Sequence, residues 1–334
     1  MPVMDAPALI ENRVTALREL HERIGNMRCE LDVSGGVDSG VMLGLLARAV
    51  GPENITAVYS SIHSGDEFRD RAREAASAFG VALIELDLTE LFDDLTKQMK
   101  LALLNAGYDV GQVEQRIQTD RSVLGSLRSC IRAPIGRGLN RMTGGGLRHG
   151  TGNECEDRFL RFYQKGGDGE VDTNPIGMLG KGEVFQLARE LGVPRSLIDA
   201  IPSPDLHGIG DDHNDEAELH ELSGVHWTYS RIDFETGEYT RVGTIERMSR
   251  FLDAGFETQL FAPGAPSAQE LSAMVDAATT YFPALPSEEI EGLLLSCRKL
   301  EAASRHKANP NIPMLGNRSD LLKASILTDS LPSC

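Results

Sequence analysis

Apolar residues recur along the first ninety positions in two alternating rhythms. Leu9, Val14, Leu17, Leu20 and Ile24 fall near one face at helical spacing, which predicts an amphipathic helix over residues 6–27. Short apolar runs then alternate with longer helical patterns. The run Cys29-Glu30-Leu31-Asp32-Val33 predicts a first strand, residues 55–60 a second and 81–86 a third. Helical patterns over 40–48 and 66–79 separate them, the latter with alanine on its inner side. Alternation at this spacing predicts an α/β fold with a doubly wound, mostly parallel, Rossmann-like sheet.

The rhythm continues less regularly. Residues 88–106 predict a helix and 107–118 a mobile connection. A helix is expected over 121–142, open to a break at Pro134, and Gly144-Gly145-Gly146 is expected to turn. From about residue 222 the pattern changes. Two alternating runs flank Phe234-Glu235-Thr236-Gly237 and predict a hairpin over 227–242, with Trp227 and Tyr229 read as hairpin packing. Helical patterns follow over 244–254, 268–281 and 287–306, and Pro310 and Pro313 exclude regular structure over 307–315. The chain therefore divides into residues 1–222, an α/β domain, and 223–334, a mainly helical C-terminal extension.

A length of 334 residues suits one large domain plus an appendage. The formal net charge of −17 argues against a nucleic-acid grip, which needs basic surface to exchange for counterions. Arg128, Arg132, Arg137 and Arg141 still form a local basic cluster, either a phosphate-facing stripe or a solvated helix face. No apolar run approaches the ~20 residues that span a membrane. The first 26 residues lack the apolar core of a signal peptide, so a cytoplasmic location is expected. Cys29, Cys130, Cys155, Cys297 and Cys334 form no Cys-x-x-Cys pair and are odd in number, which argues against a zinc or iron–sulfur centre and against a disulfide scaffold. They read as small buried hydrophobes. His207, His213 and His220, interleaved with Asp211, Asp212, Asp215 and Glu216, match no zinc spacing and read as a mobile polar lid.

The chemistry is concentrated at Ser34-Gly35-Gly36-Val37-Asp38-Ser39. A strand, a Gly-rich turn and a helix in this order form an anion cradle: backbone N–H groups and a helix N-terminus point at a phosphate. The hexapeptide lacks the Gly-Lys-Ser/Thr ending of the common nucleoside-triphosphate loop. It resembles instead the pyrophosphate loop of the N-type ATP pyrophosphatases, which transfer AMP to a substrate oxygen. A second block follows: Gly150-Thr151-Gly152-Asn153-Glu154-Cys155-Glu156, then residues 165–176, Leu179-Gly180-Lys181, Leu191-Gly192-Val193-Pro194, Pro202-Ser203-Pro204-Asp205-Leu206, and Asp215-Glu216-Ala217-Glu218-Leu219.

Together these motifs resemble the ammonia-dependent NAD synthase family over roughly residues 8–222. The resemblance implies an ATP-dependent ligase that adenylates a carboxylate, releases pyrophosphate and forms an amide with ammonia, with deamido-NAD as substrate. Alternatives are a diverged ligase amidating another carboxylate, a pyrophosphate-loop thiolase with a mechanistic cysteine at Cys130 or Cys155, and a non-catalytic nucleotide-binding protein. By resemblance, Ser34, Gly35, Gly36, Val37, Asp38 and Ser39 hold the ATP phosphates, and Asp38 and Glu156 hold Mg²⁺. Ser60 lies where adenine is contacted. Arg132 and Thr151 are placed with the nucleotide, while Lys165, Asp168 and Asp172 gather the substrate. Lys181 and Ser203 stabilise phosphate and the acyl-adenylate, and Asp168 accepts the proton that ammonia must lose. The pattern departs from the family at Glu154, where lysine is common, and at Gly166, which replaces an aromatic residue. No glutaminase domain is recognised, so free ammonia or a separate glutaminase partner is implied, as is a homodimer.

Overall fold

The computed structural model describes residues 4–120, 122–203, 214–308 and 317–328. Helix α1 (Ala6–Ile24) buries Leu9, Val14, Leu17 and Leu20 and ends at Gly25, which adopts the left-handed conformation that stops a helix. Ile24, expected on the inner face, is half exposed at this last turn. Strand β1 (Cys29–Asp32) runs into helix α2 (Val37–Val50), then β2 (Ile55–Ser61), α3 (Asp66–Ala78), β3 (Leu83–Asp87) and α4 (Thr89–Asn105). Helix α5 (Val110–Thr119) occupies the stretch expected to be a mobile connection. It buries no residue, so it leaves no apolar period to read; its start is set by Asp109, whose side chain accepts the Gln112 N–H.

Helix α6 (Ser122–Met142) contains Pro134 without a break. Leu124, Leu127, Ile131 and Ile135 keep one apolar row on both sides of the proline, packed on Ile62, Leu88 and Phe92. That packing outweighs the lost backbone bond. The four arginines of α6 separate rather than forming one stripe. Arg128 is buried beside the Phe92 ring, Arg132 donates to the Ser60 carbonyl, Arg137 pairs with Asp172 and Glu170, and Arg141 is exposed.

Strand β4 (Leu147–His149) completes a four-stranded parallel sheet of order β3-β2-β1-β4. This is the α/β arrangement expected from the alternation. Both faces of the central strands are buried, as parallel sheets require. Helices α7 (Glu154–Asp157), α8 (Lys181–Leu191) and α9 (Arg195–Ile198) follow. The main core joins α1, α2 and α8 to the sheet, and α2 is apolar and buried nearly all round.

Helix α10 (Asp215–Ser223) precedes the hairpin of β5 (Arg231–Ile232) and β6 (Tyr239–Arg241), shorter than expected but antiparallel as expected. Helix α11 (Thr244–Phe251) passes through a π-turn into α12 (Glu257–Leu260), and α13 (Ala268–Ala278), α14 (Ser287–Ser304) and α15 (Arg318–Lys323) complete the described elements. Packing crosses residue 222 in both directions. A second core gathers Trp227, Phe251, Phe282 and Leu294 around Cys155, Phe159 and Leu160, while Leu321 and Leu327 return to the main core. Trp227 and Tyr229 are fully buried, and Trp227 Nε1 donates to Ser296 Oγ. Of residues 307–315, expected to be irregular, Lys307 closes a short 3-10 turn (Arg305–Lys307) and Ala308 follows it, while 309–315 lie outside the described residues. No helix among the described residues is long and apolar enough to cross a membrane.

Candidate active site

The strand order reverses direction of growth between β1 and β4, and a crevice at the C-terminal ends of parallel strands at such a point is where ligands bind. A cavity of about 440 Å³ opens there, a size suited to a small ligand. β1 delivers Ser34 to Asp38 into it, β2 delivers Tyr59 and Ser60, and β4 leads to Thr151. Gly35 has φ +79°, and a Cβ there would run into the backbone carbonyl of Phe68. Only glycine fits both constraints. No side chain caps α2, so the N–H groups of its first turn face an incoming anion unclaimed by a cap. Ser39 is buried and does not line the cavity; its Oγ donates to the Gly36 carbonyl at 2.9 Å and so ties the loop to the helix.

Lys181 is the first residue of α8 and is 2 % exposed. Its Nζ donates to Asp38 Oδ2 at 2.6 Å and Glu156 Oε1 at 3.0 Å and lies 5.4 Å from the Tyr229 ring centre. Burial alone would lower its pKa, but the two carboxylates outweigh burial and raise it, so the ammonium stays charged. Asp38 Oδ1 accepts from Asn153 Nδ2 at 3.0 Å, and Asn153 also caps α7, which carries Glu156. Two carboxylates thus converge on one cation beside a phosphate loop. That donor set fits Mg²⁺, which takes one or two carboxylates with phosphate oxygens and water.

The cavity brings together most of the residues expected from sequence: Ser34 through Asp38, Ser60, Arg132, Thr151, Glu156, Asp168, Lys181 and Ser203. Asp168 Oδ1 accepts from Ser129 Oγ at 2.7 Å and from the Gln164 N–H at 2.8 Å. Lys165 is exposed and outside the cavity lining. Asp172 is also outside it, held by Arg137 at 3.4 Å and by the Arg148 N–H at 2.8 Å. The lid expected at His207 and His213, with Asp211 and Asp212, lies outside the described residues; Ser203 and Asp215, on either side of it, both line the cavity. His220 stacks on His226 instead, with ring centres 3.9 Å apart.

Arg71, Lys307 and Asp215 are among the cavity residues to which no catalytic or binding role was assigned from sequence. Arg71, beside the Phe68 ring, donates to the Gly35 carbonyl at 3.0 Å. Lys307, from the extension, donates to the carbonyls of Arg161 and Tyr163 at 3.1 and 2.8 Å and lines the cavity near Asp168. Nothing in the local sequence around Lys307 points across 140 residues to this pocket. Asp215 is legible only as part of an acidic motif. Burial, reinforced by the Glu156 charge, pushes its carboxyl from 3.8 to about 8. A raised carboxyl stabilises the fold while protonated; that contribution is complete below about pH 4 and is lost as pH rises through about 8. Asp215→Asn, which cannot ionise, is expected to flatten the loss of stability of the ligand-free protein across this window. Urea denaturation at several pH values checks this, and an unchanged slope contradicts it.

Neither Cys155 nor Cys130 offers an activated thiolate. Burial pushes the thiols of Cys155 and Cys130 up, and Cys155 Sγ accepts the Lys181 N–H at 3.3 Å.

Fold and site together define a nucleotide-binding α/β protein with a pyrophosphate-type loop. A sequence model described as NAD synthase matches residues 9–234. The NH(3)-dependent NAD(+) synthetase of Alkaliphilus oremlandii is 30% identical over 210 residues, covering 63% of this chain and 79% of the relative. That of Halobacterium salinarum is 32% identical over 204 residues, 61% and 69% of the two chains. The chain belongs to the NAD synthase family. In structure it is similar to the NMN synthetase of Francisella tularensis, with TM-score 0.63 and 18% identity over 93% of this chain and 100% of that one. It is also similar to the NH3-dependent NAD synthetase of Campylobacter jejuni, with TM-score 0.52 and 17% identity over 85% and 98%. At these identities the structural likeness concerns the fold.

Proposed function

We propose that the chain adenylates the carboxylate of deamido-NAD with ATP and converts the acyl-adenylate to the amide of NAD with ammonia. As a member of the NAD synthase family it is an ATP-dependent carbon–nitrogen ligase. The convergence of Lys181, Asp38 and Glu156 beside the phosphate loop carries this reading. The carboxylate oxygen attacks the α-phosphorus and pyrophosphate leaves. Ammonia then adds to the acyl carbon, AMP leaves with the oxygen that joined them, and one proton is released.

Loop N–H groups and the Lys181 ammonium stabilise the charge that gathers on the phosphoryl oxygens. Asp38 and Glu156 are the residues to hold Mg²⁺, which supplies further neutralisation of the phosphates. Arg132 and Ser60 border the nucleotide, Ser203 and Thr151 border the phosphates and the adenylate, and Asp168 accepts the ammonium proton. Lys165 and Asp172 take part only if the substrate extends beyond the cavity. The nitrogen arrives as free ammonia or from a separate glutaminase, and the location is cytoplasmic.

Incubation with ATP, Mg²⁺, ammonium and deamido-NAD tests the reading. NAD, AMP and pyrophosphate in equal amounts are expected. Turnover with nicotinate mononucleotide but not deamido-NAD moves the assignment to a different carboxylate on the same chemistry; the name of the Francisella relative in fold motivates that comparison.

A homodimer is part of the same proposal. Helix α4 exposes Leu91, Leu95 and Met99, each four residues apart and so on one outward face, and also exposes Leu101 and Leu104 further round the helix. Mass photometry is expected to give twice the chain mass of 36.3 kDa. A single-chain mass contradicts the dimer.

A further inference from the structure

Away from the nucleotide cavity, three donor atoms converge in the main core: Cys29 Sγ and one ring nitrogen each of His21 and His149 all lie within 4.8 Å of one another. His21 comes from the last turn of α1, Cys29 opens β1 and His149 ends β4. The sequence spreads them over 128 positions, so no ligand spacing betrays them. All three are 2 % exposed or less.

The outer nitrogens of both rings are already claimed. His21 Nδ1 donates to the Asn26 carbonyl at 2.7 Å, and His149 Nδ1 lies 2.6 Å from Thr173 Oγ1, a hydroxyl that can donate to the ring or accept its N–H. The two Nε2 atoms then face each other at 3.0 Å. Anchoring of one ring nitrogen so that the other is aimed inward is the arrangement that orients metal-ligating histidines.

We propose that His21 Nε2, His149 Nε2 and Cys29 Sγ bind a thiophilic d¹⁰ cation, Zn²⁺ or Cu⁺, at a structural site separate from the ligase centre. Two imidazoles and a thiolate select soft or borderline cations over Mg²⁺. Metal–nitrogen bonds of ~2.0–2.1 Å place tetrahedral ligand nitrogens about 3.3 Å apart, so the rings need spread by only a few tenths of an ångström. On binding, the His149 ring proton moves from Nε2 to Nδ1, where Thr173 Oγ1 accepts it, the sulfur–hydrogen bond breaks with its proton leaving to solvent, and metal–nitrogen and metal–sulfur bonds form. One ion would join α1 to both β1 and β4, two residues before Thr151 of the nucleotide cavity.

Elemental analysis of the full-length protein, purified without chelators from medium containing both metals, decides the matter. About one ion of zinc or copper per chain is expected, and the element found identifies the cation. Cys29→Ser and His149→Asn are expected to lose it, and Asp38→Asn to keep it. Refolding the wild type with Co²⁺ is expected to give a near-ultraviolet thiolate-to-cobalt band, which keeps the test decisive if the core variants fail to fold. Wild-type protein with neither metal and no cobalt band overturns the proposal and leaves a hydrogen-bond ladder, Thr173 to His149 to His21 to Asn26.

Discussion

Lys181→Ala is expected to lower AMP- and pyrophosphate-forming turnover by at least roughly 100–1000-fold, the loss that follows removal of one pre-aimed donor to a charged transition state. The Nζ is buried, held by Asp38 and Glu156, and aimed by the N-terminus of α8 into the cavity beside the phosphate loop. Its charge is fixed at neutral pH because those carboxylates raise its pKa against burial. The loop N–H groups and Arg71 remain in the variant, so ATP affinity is expected to fall far less than turnover. That split separates a transition-state role from simple binding. A pyrophosphate-release assay paired with ATP calorimetry checks both halves. Full pyrophosphate release in a folded Lys181→Ala variant contradicts the site assignment.

Arg318→Ala is expected to cost up to about 3–5 kcal/mol of stability, the cost of removing one partner from a buried ion pair, with Arg250 left as the nearest cation to Glu183. Arg318, in α15, donates through both terminal nitrogens to Glu183 at 2.8 and 2.9 Å. Glu183 sits in the first turn of α8 and accepts the Gly180 N–H at 2.8 Å. Glu246, from α11, accepts the Gly182 N–H at 3.2 Å and the Ser230 hydroxyl at 2.6 Å, while Arg250 lies 3.7 Å from Glu183 and 3.2 Å from Glu154. The turn that presents Lys181 is therefore held by three residues from beyond 222. Arg318→Lys is expected to recover only part of the loss, because an ammonium cannot span both carboxylate oxygens. Urea denaturation measures both variants; a loss under about 1 kcal/mol for Arg318→Ala would place the pair among weak surface bridges instead.

The parts of the molecule that were legible in the sequence share a physical cause. Buried strands and the helices between them impose periods, and β1, β2, α3 and α4 lie within a few residues of their expected places. The phosphate loop is legible because a positive φ and a close backbone approach restrict its residue types, above all at Gly35. Elements without a buried face left no such period, as α5 shows. Long-range pairing was also invisible: Lys307 reaching the cavity, Arg318 reaching Glu183, and the His21–Cys29–His149 cluster each depend on how distant segments pack. Asp172 and Lys165 illustrate the opposite limit. Their motif is recognisable, yet in this chain Asp172 is spent on Arg137 and the Arg148 N–H, and Lys165 faces solvent.

The most direct test of the ligase chemistry follows one oxygen atom. Deamido-NAD labelled with ¹⁸O in its carboxylate is incubated with enzyme, ATP, Mg²⁺ and ammonium, and the AMP is weighed by mass spectrometry. Adenylation of the carboxylate transfers one labelled oxygen to AMP for each amide formed. Amide formed with unlabelled AMP would contradict an acyl-adenylate and the roles given to Lys181, Asp38 and Glu156.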